Sequence, residues 1–320
     1  MTSLFPSPVS SYRGRLAPSP TGYLHVGHAR TFWKAFERAR EAGGTLAMRM
    51  EDLDRERSRA AYAEAAIEDL HWLGITWQEG PDVGGPFAPY AQSGRGAIYL
   101  DAWQKLLRGG WLYPCRCSRK DLETALAAPH ENAAANGSQS GKEPGARDLD
   151  PLDDEPVYPG TCRPLGNTAE LRGGAAEIEL PEGANWRFRV LDGEAIEFED
   201  LNLGPQRFVA GRDFGDFVVW RRDGAPSYQL ACVADDASME ITEVVRGADL
   251  LKSTARQILL NRALGFENPA WFHCSLVADR NGRRLAKRHD SLSLRVLRER
   301  RGTPADILAG EMLAVALLKQ

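Results

Sequence analysis

Two histidines, His25 and His28, stand three residues apart behind a turn that is rich in proline and glycine. Residues 15–28 read Arg-Leu-Ala-Pro-Ser-Pro-Thr-Gly-Tyr-Leu-His-Val-Gly-His, which predicts a short strand, a rigid turn and a helix that begins at the histidines. The free N–H groups and partial positive charge of a helix start attract anions, and Gly27 leaves room for a flat ring. The segment therefore predicts a phosphate site, although surface or capping histidines share this spacing.

Two carboxylates, Glu51 and Asp54, follow directly after a predicted strand. The apolar run over 45–50 is typical of a buried strand, and ligands of α/β sheets bind where strands end. We therefore expect Glu51 to face a ligand and Asp54 to cap the next helix, which is predicted over 58–73. The alternative is that both acids only cap that helix.

Three cysteines have a spacing that suits a metal ion. Cys115 and Cys117 flank one residue, and Cys162 follows a polar stretch over 127–156 that contains no Phe, Tyr or Trp. Three thiolates make an incomplete tetrahedral zinc set, so unrelated thiols are the alternative. The polar stretch, which we expect to be disordered, would not prevent metal binding, because the cost of closing a loop grows slowly with its length.

The elements that would position these side chains alternate along the chain. Helical patterns over 29–41, 58–73 and 95–108 alternate with short apolar runs, which predicts an α/β fold with a doubly wound parallel sheet. Acidic and apolar residues alternate over 174–213, which indicates a β-rich, antiparallel insertion. The segment 216–231 then returns the chain to the core, with a strand predicted over 218–220.

The composition is that of a globular protein, with 43% hydrophobic and 26% charged residues and a net charge of −4. No signal peptide is apparent and no apolar run is long enough to cross a bilayer, so we expect a cytoplasmic protein with no membrane partner. Five cysteines do not make a disulfide framework here, and we expect Cys232 and Cys274 to be buried apolar side chains. The basic stretch 280–301 would bind phosphates in a salt-sensitive way, or is a solvated face.

Segment 15–28 as a whole resembles the first signature of the class I aminoacyl-tRNA synthetases, and its Arg-x-Ala-Pro-Ser-Pro-Thr-Gly lead-in resembles their glutamate/glutamine branch. That resemblance implies an ATP site in which His25 and His28 are catalytic and contact the phosphates, while Gly27 lies against adenine. It also implies that the parallel sheet is a Rossmann-type catalytic domain with an inserted zinc-containing and β-rich subdomain. Mg²⁺ would accompany ATP.

The same resemblance implies a pocket for L-glutamate. Its amino group would bind Glu51, while Tyr228 and Arg246 match residues that line the pocket; Tyr228 in the core and Arg246 in an ordinary ion pair are the alternatives. We expect Arg15 or Arg246 to read the side-chain carboxylate, because arginine offers a planar fork to such a group. Where the family usually has Asn four residues after the tyrosine, this chain has Cys232. The implied set is Arg15, Leu16, Ala17, Pro18, Ser19, Glu51, Tyr228 and Arg246.

Two further motifs match the family. Residues 284–288 resemble a degenerate Lys-Met-Ser-Lys-Ser loop in which Lys287 is the retained lysine and would contact ATP phosphates during catalysis. The other motif looks like the zinc site of one branch, the glutamyl-Q tRNA(Asp) synthetases, in which a tyrosine oxygen supplies the fourth ligand. It implies one structural Zn²⁺ per chain, held by Cys115, Cys117, Tyr158 and Cys162.

The resemblance covers about residues 12–302. Glutamyl-tRNA synthetases continue with a large helical anticodon-binding region, whereas 33 residues follow Lys287 here. The expected function is therefore that of the glutamyl-Q tRNA(Asp) synthetases, truncated paralogues that activate L-glutamate with ATP and transfer it to queuosine in the anticodon of tRNA(Asp). The alternatives are a synthetase core that charges tRNA(Glu) and a catalytically silent paralogue that only binds RNA. Retention of His25, His28, Glu51 and Lys287 argues against the silent paralogue.

These inferences predict how the chain is divided. We expect a monomer in which two halves of the catalytic domain enclose the insertion. The predicted parts are a disordered leader at 1–11, the first half of the catalytic domain at 12–113, an inserted zinc and acceptor-binding subdomain at 114–213, the second half of the catalytic domain at 214–275, and the Lys-Met-Ser-Lys-Ser-like loop with a short helical region at 276–320.

Overall fold

The structure is a computed structural model, and it describes residues 11–118, 121, 157–165, 183–276, 293–300 and 302–308. The strands among these residues are β1 (Arg13–Leu16), β2 (Thr45–Met48), β3 (Leu112–Cys115), β4 (Asn185–Phe188), β5 (Ala195–Asp200), β6 (Gly204–Val209), β7 (Phe217–Trp220), β8 (Glu243–Gly247) and β9 (Ala270–Cys274). The helices are α1 (Val26–Glu41), α2 (Ala60–Trp72), α3 (Gly96–Arg108), α4 (Tyr228–Ser238), α5 (Leu251–Leu264), α6 (Leu294–Glu299) and α7 (Pro304–Leu308). The polar stretch 127–156, residues 1–10 of the predicted leader and Lys287 lie outside the described residues.

Parallel strands form the core, so the predicted α/β architecture is confirmed. β1 pairs in parallel with β2, and β8 pairs in parallel with β9. The backbone N–H of Thr242, just before β8, donates to the carbonyl of Arg13 in β1 at 2.9 Å, which places the two pairs side by side. Val26, Ala29 and Ala35 of α1 share an apolar core with side chains of these strands, namely Leu16, Leu46 and Val245. The parallel strands therefore end along one edge, where the predicted ligand residues stand.

The predicted antiparallel insertion is present, but it is continuous with the core sheet. β5 and β6 form an antiparallel hairpin. The end of β5 then runs parallel to β9 through the pair Asp200 and Trp271, which gives the sheet order β6-β5-β9-β8. The insertion thus extends the core sheet and brings Asp200 against β9.

A second sheet is antiparallel and consists of β3, β4 and β7. The strand predicted over 218–220 is present as β7, and it pairs with β4 of the insertion. Three tryptophans pack where α3 meets this sheet: the Trp103 ring is edge-on to Trp186 at 5.1 Å between centroids and 6.2 Å from Trp220. This apolar contact joins α3 to the sheet whose strand β3 ends at the cysteines.

The helix ends follow local hydrogen bonds. α1 begins at Val26, between the two histidines as predicted, and His25 caps it. The prediction for Asp54 is wrong: α2 begins after Arg59 without a side-chain cap, and Asp54 instead accepts the N–H of Arg57 at 3.2 Å in the preceding turn. Among the described helices, none is long and apolar enough to cross a membrane.

Candidate active site

His25 caps α1, and its ring stacks on that of His28. Nδ1 of His25 accepts the N–H of Gly27 at 3.1 Å, and Nδ1 of His28 accepts the N–H of His25 at 3.3 Å. Because each Nδ1 is used as an acceptor, the neutral rings carry their proton on Nε2. The ring centroids are 3.7 Å apart, and a Cβ at Gly27 would lie only 2.9 Å from Cε1 of His25. Capping, the alternative role, is therefore observed, and each of the two stacked rings carries its proton on Nε2.

The chain comes back to His25 after the segment that contains the Lys-Met-Ser-Lys-Ser-like loop. His25 forms an antiparallel bridge with Ser293, which is the first described residue after the segment 277–292. Ser293 then caps α6 by accepting the N–H of Val296 at 3.3 Å. Lys287 itself lies outside the described residues, so its contact with phosphate stays a prediction, whereas Ser293, which follows its segment, pairs with His25.

Glu51 follows β2, and two side chains contact the same carboxylate oxygen. Nη2 of Arg49 donates to Oε1 at 3.0 Å, and the Sγ of Cys232 donates to Oε1 at 3.5 Å. Both of these contacts engage Oε1 rather than Oε2. The N–H of Glu51 also donates to the carbonyl of Pro18 at 2.9 Å, which ties the end of β2 to the turn before α1.

Arg49, which the sequence reasoning missed, is fully buried among three carboxylates. Its Nη1 donates to Asp236 at 2.6 Å, and its Nε lies 3.6 Å from Asp235. Burial alone would lower the pKa of Arg49, but Asp236, Asp235 and Glu51 outweigh burial and raise this pKa well above its ordinary value. The sequence signal that could have indicated Arg49 is the pair of adjacent acids, Asp235 and Asp236, inside α4, because buried carboxylates need a cationic partner.

Arg15 and Arg246, the two candidates for reading a carboxylate, are both buried near the ends of neighbouring strands. Nη1 of Arg15 donates to the carbonyl of Val245 at 2.9 Å, and its Nε lies 3.5 Å from Asp236. The guanidinium carbon of Arg246 lies 4.9 Å from the centroid of the Trp271 ring. The structure thus places both guanidinium groups at the edge where Glu51 stands.

Tyr228 and Cys232 lie one turn apart on α4. Tyr228 is 37% exposed, so the alternative that it is an ordinary core residue is wrong. Cys232 is buried, as expected, and it also contacts Glu51 on the floor of the implied pocket. Burial and the nearby Glu51 raise the pKa of the Cys232 thiol well above its usual value, so it acts as a neutral donor. Cys274, at the end of β9, is only half-buried.

Residues 16–19 run along the end of β1. The side chain of Leu16 is packed in the apolar core, so only its backbone can contact a ligand, and its carbonyl accepts the N–H of Arg49 at 2.8 Å. Pro18 is buried, Ala17 is half-buried and Ser19 is exposed. The segment thus lies at the predicted edge, although the Leu16 side chain points into the core.

The three cysteines and Tyr158 form a compact cluster. The sulfur atoms of Cys115, Cys117 and Cys162 lie within 4.8 Å of one another, with Cys117 and Cys162 3.4 Å apart. The Tyr158 hydroxyl lies 3.5 Å from Sγ of Cys115 and 3.8 Å from Sγ of Cys117. In a tetrahedral zinc set with Zn–S of about 2.3 Å and Zn–O of about 2.0 Å, two sulfurs are about 3.8 Å apart and a sulfur and an oxygen about 3.5 Å. The four donor atoms could therefore hold a metal ion.

Arg187 of β4 supports this cluster. Its Nε donates to Sγ of Cys115 at 3.3 Å, and its guanidinium carbon lies 3.8 Å from the centroid of the Tyr158 ring. A cavity of about 450 Å³ opens beside the cluster, between Tyr158, Arg163 and the loop at 209–216. This cavity is lined by other residues than the histidines and Glu51, so it is distinct from the candidate active site.

Comparison with known proteins shows the family to which the chain belongs. The family described as tRNA synthetases class I (E and Q), catalytic domain, matches residues 11–147 and 167–310. The curated protein Glutamyl-Q tRNA(Asp) synthetase of Symbiobacterium thermophilum is 48% identical over 299 residues, which cover 93% of this chain and 84% of that protein. The protein of the same name from Nitratidesulfovibrio vulgaris is 43% identical over 310 residues, which cover 95% of this chain and 86% of that protein.

A solved structure shows the same fold. The glutamate tRNA ligase from Elizabethkingia meningosepticum, crystallised in complex with its amino acid, matches with a TM-score of 0.68 at 29% sequence identity. The match covers 87% of this chain and 52% of that chain, so this chain spans about half the length of that ligase.

Proposed function

The chain belongs to the class I tRNA synthetases of the glutamate and glutamine type and is a ligase-type enzyme, and from this premise we propose that it activates L-glutamate with ATP and transfers the glutamyl group to queuosine in the anticodon of tRNA(Asp). The observation that carries the proposal is a charge pattern at the edge of the sheet. Two buried arginines, Arg15 and Arg246, and the carboxylate of Glu51 stand at strand ends, next to the helix start with His25 and His28. Glutamate, with two carboxylates and one ammonium group, complements this pattern.

Arg246 is the better candidate for the side-chain carboxylate. Its Nη2 donates to the hydroxyl of Thr254 at 2.7 Å and its Nε to the imidazole of His273 at 3.2 Å, both uncharged groups. Arg15, by contrast, lies 3.5 Å from Asp236. A buried charge without an opposite charge beside it is costly. A glutamate carboxylate would supply that opposite charge to Arg246. Glutamine would leave this arginine badly paired.

The first reaction would form glutamyl-adenylate. An α-carboxylate oxygen of glutamate attacks the α-phosphorus of ATP, and the bond to the bridging oxygen of the β-phosphate breaks, so that pyrophosphate leaves. The Nε2–H groups of His25 and His28 would donate to phosphate oxygens, Lys287 would contact the charge that develops on the leaving group, and Gly27 would face adenine. Glu51 would hold the ammonium group of the amino acid. Catalysis then rests on positioning and electrostatics, with Mg²⁺ held mainly by phosphates and water.

In the second reaction a hydroxyl oxygen of the acceptor attacks the acyl carbon, an ester forms and AMP leaves. The names of the two relatives described above support queuosine as this acceptor, and its cyclopentene diol resembles the ribose diol that class I enzymes esterify. Bases of a single-stranded loop can be splayed out and read. Exposed arginines on and after α6, Arg295 and Arg300, follow Ser293 beside the histidines and could contact stem phosphates.

A structural zinc ion would complete the insertion. The separations of 3.4, 3.5 and 3.8 Å within the cysteine cluster are close to those of a tetrahedral set, and all four residues are of types that bind zinc or can do so when deprotonated. The ion would cross-link the end of β3 to the segment 157–165 and would take no part in the reaction. The ligands would be Cys115, Cys117, Tyr158 and Cys162.

Labelled glutamate tests the proposed acceptor. The enzyme, ATP and ¹⁴C-glutamate are incubated with tRNA(Asp) that contains queuosine, with the unmodified tRNA(Asp) transcript and with tRNA(Glu). We expect label on the first RNA only. Equal label on both forms of tRNA(Asp) would overturn the queuosine assignment, label at the 3′ end of tRNA(Glu) would favour a conventional synthetase core, and RNA binding without any label would favour a silent paralogue.

A further inference from the structure

A chain of buried polar side chains runs from the insertion to Arg246. Asp200, the last residue of β5, contacts His273 of β9, with Oδ2 2.6 Å from Nδ1. The other ring nitrogen, Nε2, lies 3.2 Å from Nε of Arg246 on β8. None of the three side chains is more than 5% exposed, and the proposed reaction gives Asp200 and His273 no role.

The hydrogen-bond partners of Asp200 decide which nitrogen of His273 carries the proton. Oδ1 of Asp200 accepts the backbone N–H groups of Asn202 and Leu203 at 3.1 and 2.8 Å. Burial raises the pKa of Asp200, but the hydrogen bonds from His273, Leu203 and Asn202 outweigh burial and keep this pKa below its usual value. Asp200 is thus a carboxylate and only accepts, so Nδ1 of His273 carries the proton and Nε2 presents a lone pair to Arg246.

His273 is neutral in this arrangement. Burial and the positive charge of Arg246 lower the pKa of His273 to about 4, against the opposing effect of Asp200. Thr254 supplies a second acceptor, with Oγ1 2.7 Å from Nη2 of Arg246 and 3.1 Å from Nε2 of His273. The two acceptors engage Nε and Nη2, which form one edge of the planar guanidinium. The outer fork, made by Nη1 and the second hydrogen of Nη2, is the edge that can meet a carboxylate.

We propose that His273, held in one tautomer by Asp200, is a positioning residue for amino-acid recognition: it fixes the guanidinium of Arg246 so that the outer fork meets the side-chain carboxylate of glutamate. The inference rests on the proposed function, in which Arg246 binds that carboxylate. Without a fixed acceptor, the arginine samples other orientations, and the pocket loses affinity for glutamate and its preference over glutamine. The insertion therefore contributes to the amino-acid site through Asp200.

Asp200→Asn is the sharpest test, because it reverses the tautomer without removing a side chain. The N–H groups of Asn202 and Leu203 keep the amide oxygen in the Oδ1 position, so the amide NH₂ turns toward His273. Nδ1 must then accept, Nε2 carries the proton, and it faces the N–H of Arg246 as donor against donor. We expect KM for glutamate in ATP–pyrophosphate exchange to rise about 10- to 100-fold, while KM for ATP changes less than about twofold.

Two further variants and a spectrum separate positioning from general structure. ¹⁵N NMR of histidine-labelled protein should show the His273 proton on Nδ1 in the wild type and on Nε2 in Asp200→Asn. His273→Gln restores an acceptor at the Nε2 position and should keep KM for glutamate within about fivefold of wild type, whereas His273→Leu should raise it as Asp200→Asn does. Asp213→Asn, in the loop after the same hairpin, where Asp213 accepts the N–H of Val209 at 2.6 Å, is the matched control and should leave this KM unchanged.

The outcomes distinguish the inference from the function on which it rests. If the wild type activates glutamate and Asp200→Asn has the same KM for glutamate, the inference is overturned and the proposed function stands. Equal rises in the KM values for glutamate and ATP would show a general structural defect and would also overturn it. A wild-type enzyme without glutamate-dependent exchange would overturn the proposed function, and the inference with it.

Discussion

Asp69 of α2 is a buried carboxylate whose replacement should stabilise the protein in a pH-dependent way. Asp69 is 1% exposed, and neither of its carboxylate oxygens forms a hydrogen bond among the described residues. Arg298 of α6 lies beside it, with Nη1 3.6 Å from Oδ1, and Arg295 of the same helix also favours its charged form. Burial raises the pKa of Asp69 to about 6, since Arg298 offsets burial only in part. This contact matters to the site because α6 follows the segment 277–292 that contains Lys287.

The sign and size of the effect follow from this pKa. With a raised pKa, the native state binds the proton of Asp69 more tightly than the unfolded chain does. The free energy of unfolding is therefore highest below about pH 4, where Asp69 is protonated in both states, and it falls as the pH rises through about 6. From 3.8 unfolded to about 6 folded, ionisation of Asp69 costs on the order of 3 kcal/mol at pH 7.5 and about half of that at pH 5. Asp69→Asn keeps the shape and removes the charge. We therefore expect it to be more stable than the wild type by up to about 3 kcal/mol at pH 7.5 and by about half as much at pH 5.

Urea unfolding at pH 5, 6 and 7.5, followed by tryptophan fluorescence and far-UV circular dichroism, measures this difference in the free energy of unfolding. Asp101→Asn is a matched control on α3, because the Asp101 side chain is 57% exposed and its replacement should change the free energy of unfolding little. An Asp69→Asn variant no more stable than the wild type at pH 7.5, or a gain that does not change with pH, would refute the reasoning.

Three further predictions concern the site and the metal. Lys287→Ala should slow adenylate formation by about 10²–10³-fold with little effect on glutamate binding, because the lysine acts on charge that develops as pyrophosphate leaves; a normal rate in rapid-quench experiments would remove Lys287 from the site. Glu51→Gln should raise KM for glutamate more than about tenfold, because the amide no longer pairs with the ammonium group; an unchanged KM in exchange kinetics would contradict this. Elemental analysis should find one zinc per chain, and Cys115→Ser should lower both zinc content and melting temperature; zinc-free protein with an equally stable variant would exclude a structural zinc.

The first strand, turn and helix could be predicted because one short segment contains all the signals. Prolines and a glycine define the turn in residues 15–28, and the helix begins where the free N–H groups must be capped. The sequence left open whether the histidines bind phosphate or cap the helix, and the structure shows that His25 caps α1. For the same reason Asp54 was misjudged: an acid before a helix fits both a cap and a turn, and only the hydrogen bond to Arg57 decides between them.

The charged groups beneath the pocket could not be predicted, because their partners are distant in sequence. Arg49 and Asp236 are 187 residues apart and bond at 2.6 Å, and no periodicity relates them. Asp200 and His273 are 73 residues apart and meet only because the hairpin joins β9 at its edge. Strand pairing between distant segments decides such contacts, as it decided that β7 pairs with β4, and local propensity carries no information about it.

ATP–pyrophosphate exchange in the absence of RNA tests the central claim most directly, because it reports adenylate formation by the groups at the edge of the sheet. The account predicts exchange that depends on L-glutamate, is much weaker with L-glutamine and is lost on heating the protein. Exchange that is absent with glutamate, or that proceeds equally well with glutamine, would contradict the assignment of Glu51 and Arg246 to a glutamate-activating site.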